Sequence, residues 1–109
     1  MNIYSYAPTK HELRGVRWAR ETASVFKILA DPTRCRILKL LVHNTCGMCV
    51  GEIADTLGVS HSAASHQLNG LEDQEVLVSI RDGQSVCYEL ADTPIACTIA
   101  NILDMFPLI

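Results

Sequence analysis

Two cysteines separated by two residues form the pair with the most distinctive chemistry in this sequence. Cys46 and Cys49 lie between two predicted helices, three residues after His43. Thiolates are preferred ligands of soft ions such as zinc, cadmium, lead, copper and arsenite. Two thiols at this spacing can also close a disulfide or trap sulfane sulfur. The pattern therefore predicts either a thiophilic metal or metalloid site or a thiol-based redox or sulfur-responsive switch.

The Cys-x₂-Cys pair supplies only half of a tetrahedral site, so further ligands are needed. His43 is the first candidate, and the others are His11, Cys35, Cys87 and Cys97. Cys35 lies between two arginines, which could lower its pKa, so it joins Cys46 and Cys49 as a candidate redox thiol. The alternative for Cys35 and Cys49 is an ordinary packing thiol, and this role is the more typical one for Cys87 and Cys97.

The composition predicts one folded domain in a reducing compartment. The chain has 109 residues, of which 49% are hydrophobic and 19% are charged, which is enough apolar surface to offset the entropy of ordering. Its five cysteines are an odd set, and its first residues lack the apolar stretch of a signal peptide. No apolar run reaches the roughly 18 residues needed to cross a bilayer. We expect a cytoplasmic protein with no membrane partner.

The net charge of −3 argues against a protein that coats nucleic acid non-specifically, since such proteins carry a strong basic excess. A specific DNA reader needs only local clustering of cations. Arg34, Arg36, Lys39 and Arg81 could supply that clustering. Charge alone therefore leaves DNA binding open.

Periodicity divides the chain into an N-terminal arm and a single domain. Residues 1–9 have no helical period and are predicted to be a mobile arm, whereas residues 10–109 form the domain. Apolar residues recur every three or four positions over residues 10–29, which predicts one amphipathic helix. Asp31 is suited to cap a second helix, which has Pro32 at its first position and runs to about Val42.

The next segments have the layout of a helix-turn-helix with a wing. A short helix ends at Gly58, and Ser60 is suited to cap the helix that follows. Two β-rich runs, residues 76–81 and 85–90, are joined by Asp82-Gly83, a strong hairpin signal. A last helix over residues 94–106 has an apolar stripe and is predicted to lie in a subunit interface. The order α-α-α-α-β-β-α predicts a mainly α, homodimeric winged helix-turn-helix protein.

The start of the fourth predicted helix carries the candidate DNA-reading residues. The early polar side chains of such a helix face base edges in the major groove, and here they are His61, Ser62, Ser65, His66 and Gln67. In the wing, Arg81 and Gln84 flank the turn and could contact phosphates. The alternative is that Ser60 only caps the helix while Ser65, His66 and Arg81 are solvated surface residues.

The chain resembles the ArsR/SmtB family of metalloregulators over residues 20–104. Residues 29–38 (LADPTRCRIL) are similar to the signature of the family's second helix, and residues 49–53 (CVGEI) resemble its helix-three box. Residues 62–68 (SAASHQL) resemble its recognition helix, and the wing at residues 80–90 matches as well. The resemblance implies a homodimeric repressor that leaves operator DNA when an inducer binds.

The resemblance also bears on the sensor site. It implies metal ligation at the helix-three box in some relatives, often by a cysteine at the position of Cys49. Gly51 stands where some relatives have a second cysteine, and the N-terminal arm has no cysteine. A second family site on the last helix would need ligands at Asp92, Pro94, Met105 and Leu108, and three of these are non-ligands. We therefore expect no metal site on the last helix.

Functions of other classes fit less well. A Cys-x₂-Cys oxidoreductase motif belongs at a strand-to-helix junction of a βαβ unit, and no such unit precedes Cys46. Neither a glycine-rich phosphate loop nor a Ser-His-Asp arrangement is present in the sequence. We therefore expect no enzyme activity. The other alternative is a metal-independent winged-helix protein that binds DNA or another protein. Operator binding would distinguish a DNA-binding protein from one that binds only proteins.

Overall fold

The computed structural model describes residues 7–109, which form helices around a small antiparallel sheet. The elements of this part of the chain are α1 (Lys10–Arg14), α2 (Arg17–Leu29), α3 (Pro32–His43), β1 (Met48–Cys49), α4 (Val50–Leu57), α5 (His61–Asp73), β2 (Leu77–Asp82), β3 (Ser85–Leu90) and α6 (Pro94–Asp104). The sheet order is β1-β3-β2. The prediction of a mainly α winged helix-turn-helix fold is confirmed.

The prediction of a single helix over residues 10–29 is wrong, because the structure has two helices there, α1 and α2. Gly15 ends α1 in an extended conformation, with ψ at 131°. Glycine is a poor helix former, so the amphipathic period does not hold the helix together at this point. Thr9 caps α1 through a capping box with Glu12. Of the arm predicted over residues 1–9, residues 1–6 lie outside the described part of the chain.

Side chains from five helices and two strands share one apolar core. The largest fully buried side chains are Ile28 of α2, Ile37, Leu38 and Leu41 of α3, Ile53 of α4, Leu68 and Leu71 of α5, Val76 and Leu77 at the start of β2, and Ile99 of α6. Each helix from α2 onward thus buries one stripe, as its period predicts. The core fixes α4 and α5 against α3 and the sheet.

Local turn chemistry defines the helix-turn-helix. Gly58 ends α4 in the left-handed region, with φ at 69°, a conformation that glycine adopts without strain. Ser60 then caps α5, since its hydroxyl accepts a hydrogen bond from the Ala63 N–H at 3.1 Å. Gly58 and Ser60 therefore act as the sequence predicts, and α5 begins at His61.

The wing is the predicted hairpin with an unpredicted third strand. β2 and β3 pair in antiparallel register around the Asp82-Gly83 turn, in which Gly83 has φ at 64°. The two residues of β1 pair with the other edge of β3. Gly47 leads into β1 with φ at 86°, and a Cβ on this residue would lie 3.0 Å from the Tyr88 carbonyl oxygen. Glycine is therefore required at the point where the chain enters β1.

The last helix is capped by Thr93 and ends at Asp104, two residues before the predicted end. Beyond it, Met105, Phe106, Leu108 and Ile109 are exposed in the single subunit. Leu13, Val16, Trp18 and Phe26 of the first two helices and their junction are exposed as well. Within residues 7–109 no helix combines the length and hydrophobicity needed to cross a bilayer.

Candidate nucleic-acid interface and thiol site

The first turns of α5 present polar side chains to solvent. His61 and Ser62 in the first turn are exposed, and so is His66. Ser65 is partly buried. Because the N-cap lies at Ser60, these side chains project from the end of the helix that a helix-turn-helix inserts into a groove. Their placement is compatible with the predicted reading role.

One face of α5 looks across a cleft at the wing. His61, Ser65 and Asn69 are spaced by four residues, so they share a helix face. They line a cavity of ≈ 360 Å³ together with Gln84 of the wing turn and Cys49 at the end of β1. The cleft thus brings together parts of the predicted DNA surface and one sulfur atom. Asn69 was not among the predicted site residues, although its spacing of four from Ser65 places it on the same helix face.

Gln67 lies on a different side of α5 from the cleft. Its Nε2 donates a long hydrogen bond of 3.4 Å to Asp31 Oδ2 at the start of α3. Asp31 caps α3 by accepting from the backbone N–H groups of Thr33 and Arg34. The hydrogen bond from the Arg34 N–H is the largest cause that lowers the pKa of Asp31. Gln67 in this structure therefore links the recognition helix to α3.

The wing carries the other two predicted DNA contacts. Arg81 lies on β2 opposite Val86, and Gln84 lies in the turn next to Gly83. Both side chains are exposed. An exposed cation at a wing tip can reach a phosphate without reading a base.

The three cations of α3 contact helix ends. Arg34 donates to the carbonyl oxygens of Ile28 and Lys27, each at 2.9 Å. Arg36 Nη2 donates to the Leu57 carbonyl oxygen at the end of α4. Lys39 Nζ donates to the Leu103 carbonyl oxygen at 2.8 Å and to that of Phe106 at 3.1 Å. Cations at helix C-termini satisfy unpaired carbonyl groups and complement the helix dipole. Of the four cations considered for local clustering, these three hold helices together.

Three hydrogen bonds tie the wing to the recognition helix. The Tyr88 hydroxyl donates to Asn69 Oδ1 at 2.8 Å, and both the N–H and the hydroxyl of Ser79 donate to Glu72 Oε2. Tyr88 is only 4% exposed, and this burial is the largest cause that raises the pKa of its hydroxyl. The hydroxyl is therefore a neutral donor at physiological pH. These bonds fix the position of the wing relative to α5.

The structure pairs Cys49 with Cys87, not with Cys46. The two residues are directly opposite each other on β1 and β3, and a disulfide joins them. Their Cα atoms are 3.7 Å apart, and the two residues are 38 positions apart in the sequence. The packing role expected for Cys87 is wrong, because Cys87 is bonded to Cys49. The sequence did not predict this pairing, since the two cysteines are so far apart along the chain. Cys46 is exposed with a free thiol, and His43 is exposed as well.

Cys35 does not have the lowered pKa that its arginine neighbours suggested. Burial is the main cause that raises the pKa of the Cys35 thiol, and Asp31 raises it further. The Cys35 Sγ donates to the Leu29 carbonyl oxygen at 3.0 Å. Arg34 lowers the pKa of this thiol, but burial and Asp31 outweigh that effect. Arg36 contacts the end of α4 instead. Cys35 is thus a packed, mostly protonated thiol at neutral pH.

The described part of the chain contains no group of three or more His, Cys, Asp or Glu side chains that could hold a metal ion. A thiophilic ion at Cys46 or Cys49 would therefore need ligands from a second subunit or from solution. Cys97 is free and exposed on α6. One subunit thus supplies only part of a coordination sphere.

Comparisons with known proteins agree with this geometry. A family profile described as a helix-turn-helix domain matches residues 29–80. The chain is 34% identical over 93 residues to a transcriptional repressor SmtB homolog of Synechocystis, covering 85% of this chain and 69% of that protein.

Two solved structures are similar over most of the fold. The antimony-specific transcriptional repressor AntR has a TM-score of 0.76 and 29% identity, covering 94% of this chain and 84% of that one. A homodimeric winged helix-turn-helix DNA-binding domain of Mycobacterium bovis has a TM-score of 0.70 and 25% identity, covering 92% of this chain and 88% of that one. The chain belongs to the ArsR/SmtB family of winged helix-turn-helix, DNA-binding transcriptional regulators.

Proposed function

We propose that this protein is a cytoplasmic, homodimeric repressor that leaves its operator when a thiophilic metal or metalloid ion binds near Cys49. The relatives support repression, since the SmtB homolog and AntR are both described as transcriptional repressors. The observation that carries the proposal is the position of Cys49. It is the N-cap of α4, the first helix of the helix-turn-helix, and it lines the cleft between α5 and the wing.

Operator DNA would be bound by α5 and the wing together. The exposed His61, Ser62 and His66 would face base edges in the major groove, with Ser65 behind them. Arg81 and Gln84 would fix the register by contacting phosphates. Gln67 would enter the groove only by exchanging its long bond to Asp31 for one to a base. These seven residues form the proposed DNA surface.

A second copy of the chain would cover the apolar surface of α1, α2 and the C-terminus. Phe26 is 61% exposed and Phe106 is 67% exposed in the single subunit. Trp18 adds an aromatic ring that is 49% exposed. Buried aromatic side chains contribute strongly to subunit interfaces. A homodimer would bury them and set two recognition helices against half-sites about one helical turn apart.

The inducer would be held by soft donors at the start of α4. Cys49 and Cys46 would bind as thiolates and His43 as a third donor, which requires residues 43–49 to close around the ion, since the structure does not bring the three together. The remaining position would be filled from the partner subunit or from solution. Zinc, cadmium, lead, copper and arsenite all suit such donors. Ligation at Cys49 pulls on the first residue of the helix-turn-helix, so the ion would reorient α5 relative to the wing.

The test measures binding of an operator fragment by the reduced protein, by fluorescence anisotropy, with and without Cd²⁺ or arsenite. The ion is expected to lower operator affinity about 5- to 150-fold, a typical allosteric coupling. The Cys46→Ser/Cys49→Ser variant is expected to bind the operator equally well and to stay bound when the ion is added. Cys97→Ser is the matched control, since Cys97 is exposed outside this site.

The result also has a reciprocal form. Coupling is symmetric, so operator DNA should weaken Cd²⁺ binding by the same factor. Release of DNA from the double variant as readily as from the parent would refute the ligand assignment. Absence of operator binding by the reduced parent would refute the repressor itself and favour a protein-interaction module.

A further inference from the structure

The Cys49–Cys87 disulfide joins two parts of the DNA-binding head that are far apart in sequence. Cys49 ends β1 and caps α4, and its N–H donates to Glu52 Oε1 at 3.2 Å. Cys87 lies on β3, the central strand of the sheet. The bond therefore fastens the wing to the first residue of the helix-turn-helix.

The pair is accessible to small reagents. Cys49 and Cys87 are both only partly buried, and Cys49 opens into the ≈ 360 Å³ cleft between α5 and the wing. Cys46, three residues before Cys49, is exposed with a free thiol. A small thiol that enters the cleft can attack the Cys49 sulfur and open the disulfide by thiol–disulfide exchange.

We propose that Cys49 and Cys87 form a reversible thiol–disulfide gate, which lets the protein respond to a thiophilic ion only when the pair is reduced. This inference rests on the proposed function, because the gate acts on the ion response. A thiolate is the metal ligand, and a disulfide sulfur is not one. Oxidation therefore removes Cys49 from the ion site without touching Cys46 or His43.

Oxidation also holds the DNA-binding arrangement. The disulfide-bonded chain has the wing docked on α5 through the hydrogen bond from Tyr88 to Asn69. Fixing β3 to the start of α4 opposes any ion-driven reorientation of these parts. The oxidised protein thus stays on its operator whether or not the ion is present.

The chemistry is a two-electron exchange with a low-molecular-weight disulfide. The Cys49 thiolate attacks one sulfur of the reagent, the reagent's S–S bond breaks, and one thiolate leaves. The Cys87 thiolate then attacks the Cys49 sulfur of the mixed disulfide, and the second thiolate leaves. Two electrons pass from the cysteine pair to the reagent, and the two protons of the cysteine thiols end on the released thiols. Excess thiol reverses both steps.

The experiment uses the full chain equilibrated in glutathione buffers from fully reducing to fully oxidising and then freed of glutathione. Operator binding is measured by anisotropy with and without Cd²⁺, and the disulfide is mapped by mass spectrometry of proteolytic peptides. The parent, Cys87→Ser and Cys97→Ser are compared. Cys87→Ala serves as a second variant, and circular dichroism reports the fold of each.

The gate predicts a specific pattern. The reduced parent is released by Cd²⁺, whereas the oxidised parent binds the operator as the reduced, ion-free parent does and is not released. Cys87→Ser stays responsive to Cd²⁺ after oxidant treatment, because it cannot close the bond. Cys97→Ser behaves like the parent in both states. The mapped bond links Cys49 to Cys87.

Other outcomes overturn the gate. Release of the oxidised parent by Cd²⁺, release by oxidation alone, or absence of a Cys49–Cys87 bond in the oxidising buffers would each refute it. Loss of the ion response in both reduced Cys87→Ser and reduced Cys87→Ala would show that Cys87 is itself an ion ligand. It would then not be only the oxidisable partner of Cys49. If the reduced parent binds the operator but no ion releases it, the proposed ion sensor fails and the gate fails with it. If the ion releases the reduced parent but no Cys49–Cys87 bond is mapped in the oxidising buffers, only the gate fails.

Discussion

The hydrogen bond from the Tyr88 hydroxyl to Asn69 Oδ1 is expected to couple the wing to the recognition helix energetically. Tyr88→Phe keeps the buried ring and removes only the donor of this 2.8 Å bond. A neutral hydrogen bond contributes about 0.5–1.5 kcal/mol net. Asn69 is exposed, so water can replace the lost partner on that side. We therefore expect Tyr88→Phe to lower the free energy of unfolding by about 1 kcal/mol.

Asn69→Ala removes the same bond from the other end. The Tyr88 hydroxyl is then left in a site where the residue is only 4% exposed, and an unpaired buried donor costs about 1–3 kcal/mol. The double variant has neither group, so its cost should be less than the sum of the two single costs. The double-mutant cycle should give a coupling of about 1 kcal/mol.

Urea unfolding followed by circular dichroism measures these differences at one fixed protein concentration, because a dimer's stability depends on concentration. With a slope of about 1–3 kcal/mol/M, a 1 kcal/mol loss lowers the midpoint by about 0.3–1 M. Tyr88→Phe should also weaken operator binding, since a loosened wing must be ordered again on DNA. Additive single effects, within about 0.3–0.5 kcal/mol, would refute the link between wing and helix.

Three further predictions concern other parts of the fold. Gly47→Ala should lower the free energy of unfolding in urea by about 1–3 kcal/mol because of its positive φ, while Gly51→Ala, with open space around its Cβ, should not. Arg81→Gln should reduce the slope of log operator affinity against log salt by about 2 per dimer, since each wing loses one phosphate contact worth about 0.9. Asp31 has a lowered pKa in the folded chain, so its stabilisation is present above its unfolded pKa and is lost as pH falls through the lowered value. Urea titrations should show this loss below about pH 4 in the parent and a smaller one in Asp31→Asn.

The helix-turn-helix and the hairpin follow from local chemistry, and for that reason the sequence alone predicted them. Pro32, Gly58 and Ser60 each act on their own backbone or on the next turn. The Asp82-Gly83 pair likewise sets its turn without help from distant residues. Such signals lie within a few residues of the structure that they specify, so no tertiary information is needed to interpret them.

The thiol pairing depends on distant contacts and was not predictable in this way. β1 contains only two residues and exists because β3 offers a free edge. Cys49 and Cys87 meet only after the wing has folded back on the start of α4. The raised pKa of Cys35 has the same origin, since packing and Asp31 outweigh the charges of its sequence neighbours. The five polar residues at the start of α5 were predicted from their helix, and the contact between Gln67 and Asp31 depends on tertiary packing that the sequence does not reveal.

Neighbouring residues of β3 explain how a signal at sulfur could reach DNA. Successive side chains of a strand point to opposite faces, so Cys87 and Tyr88 face different partners. Cys87 joins the start of α4, and Tyr88 bonds Asn69 on the recognition helix. A shift of β3 relative to α4 therefore acts on α5 through one intervening residue. A coupling of about 1–3 kcal/mol is comparable with one such hydrogen bond, so the strand can transmit regulation without rearranging the core.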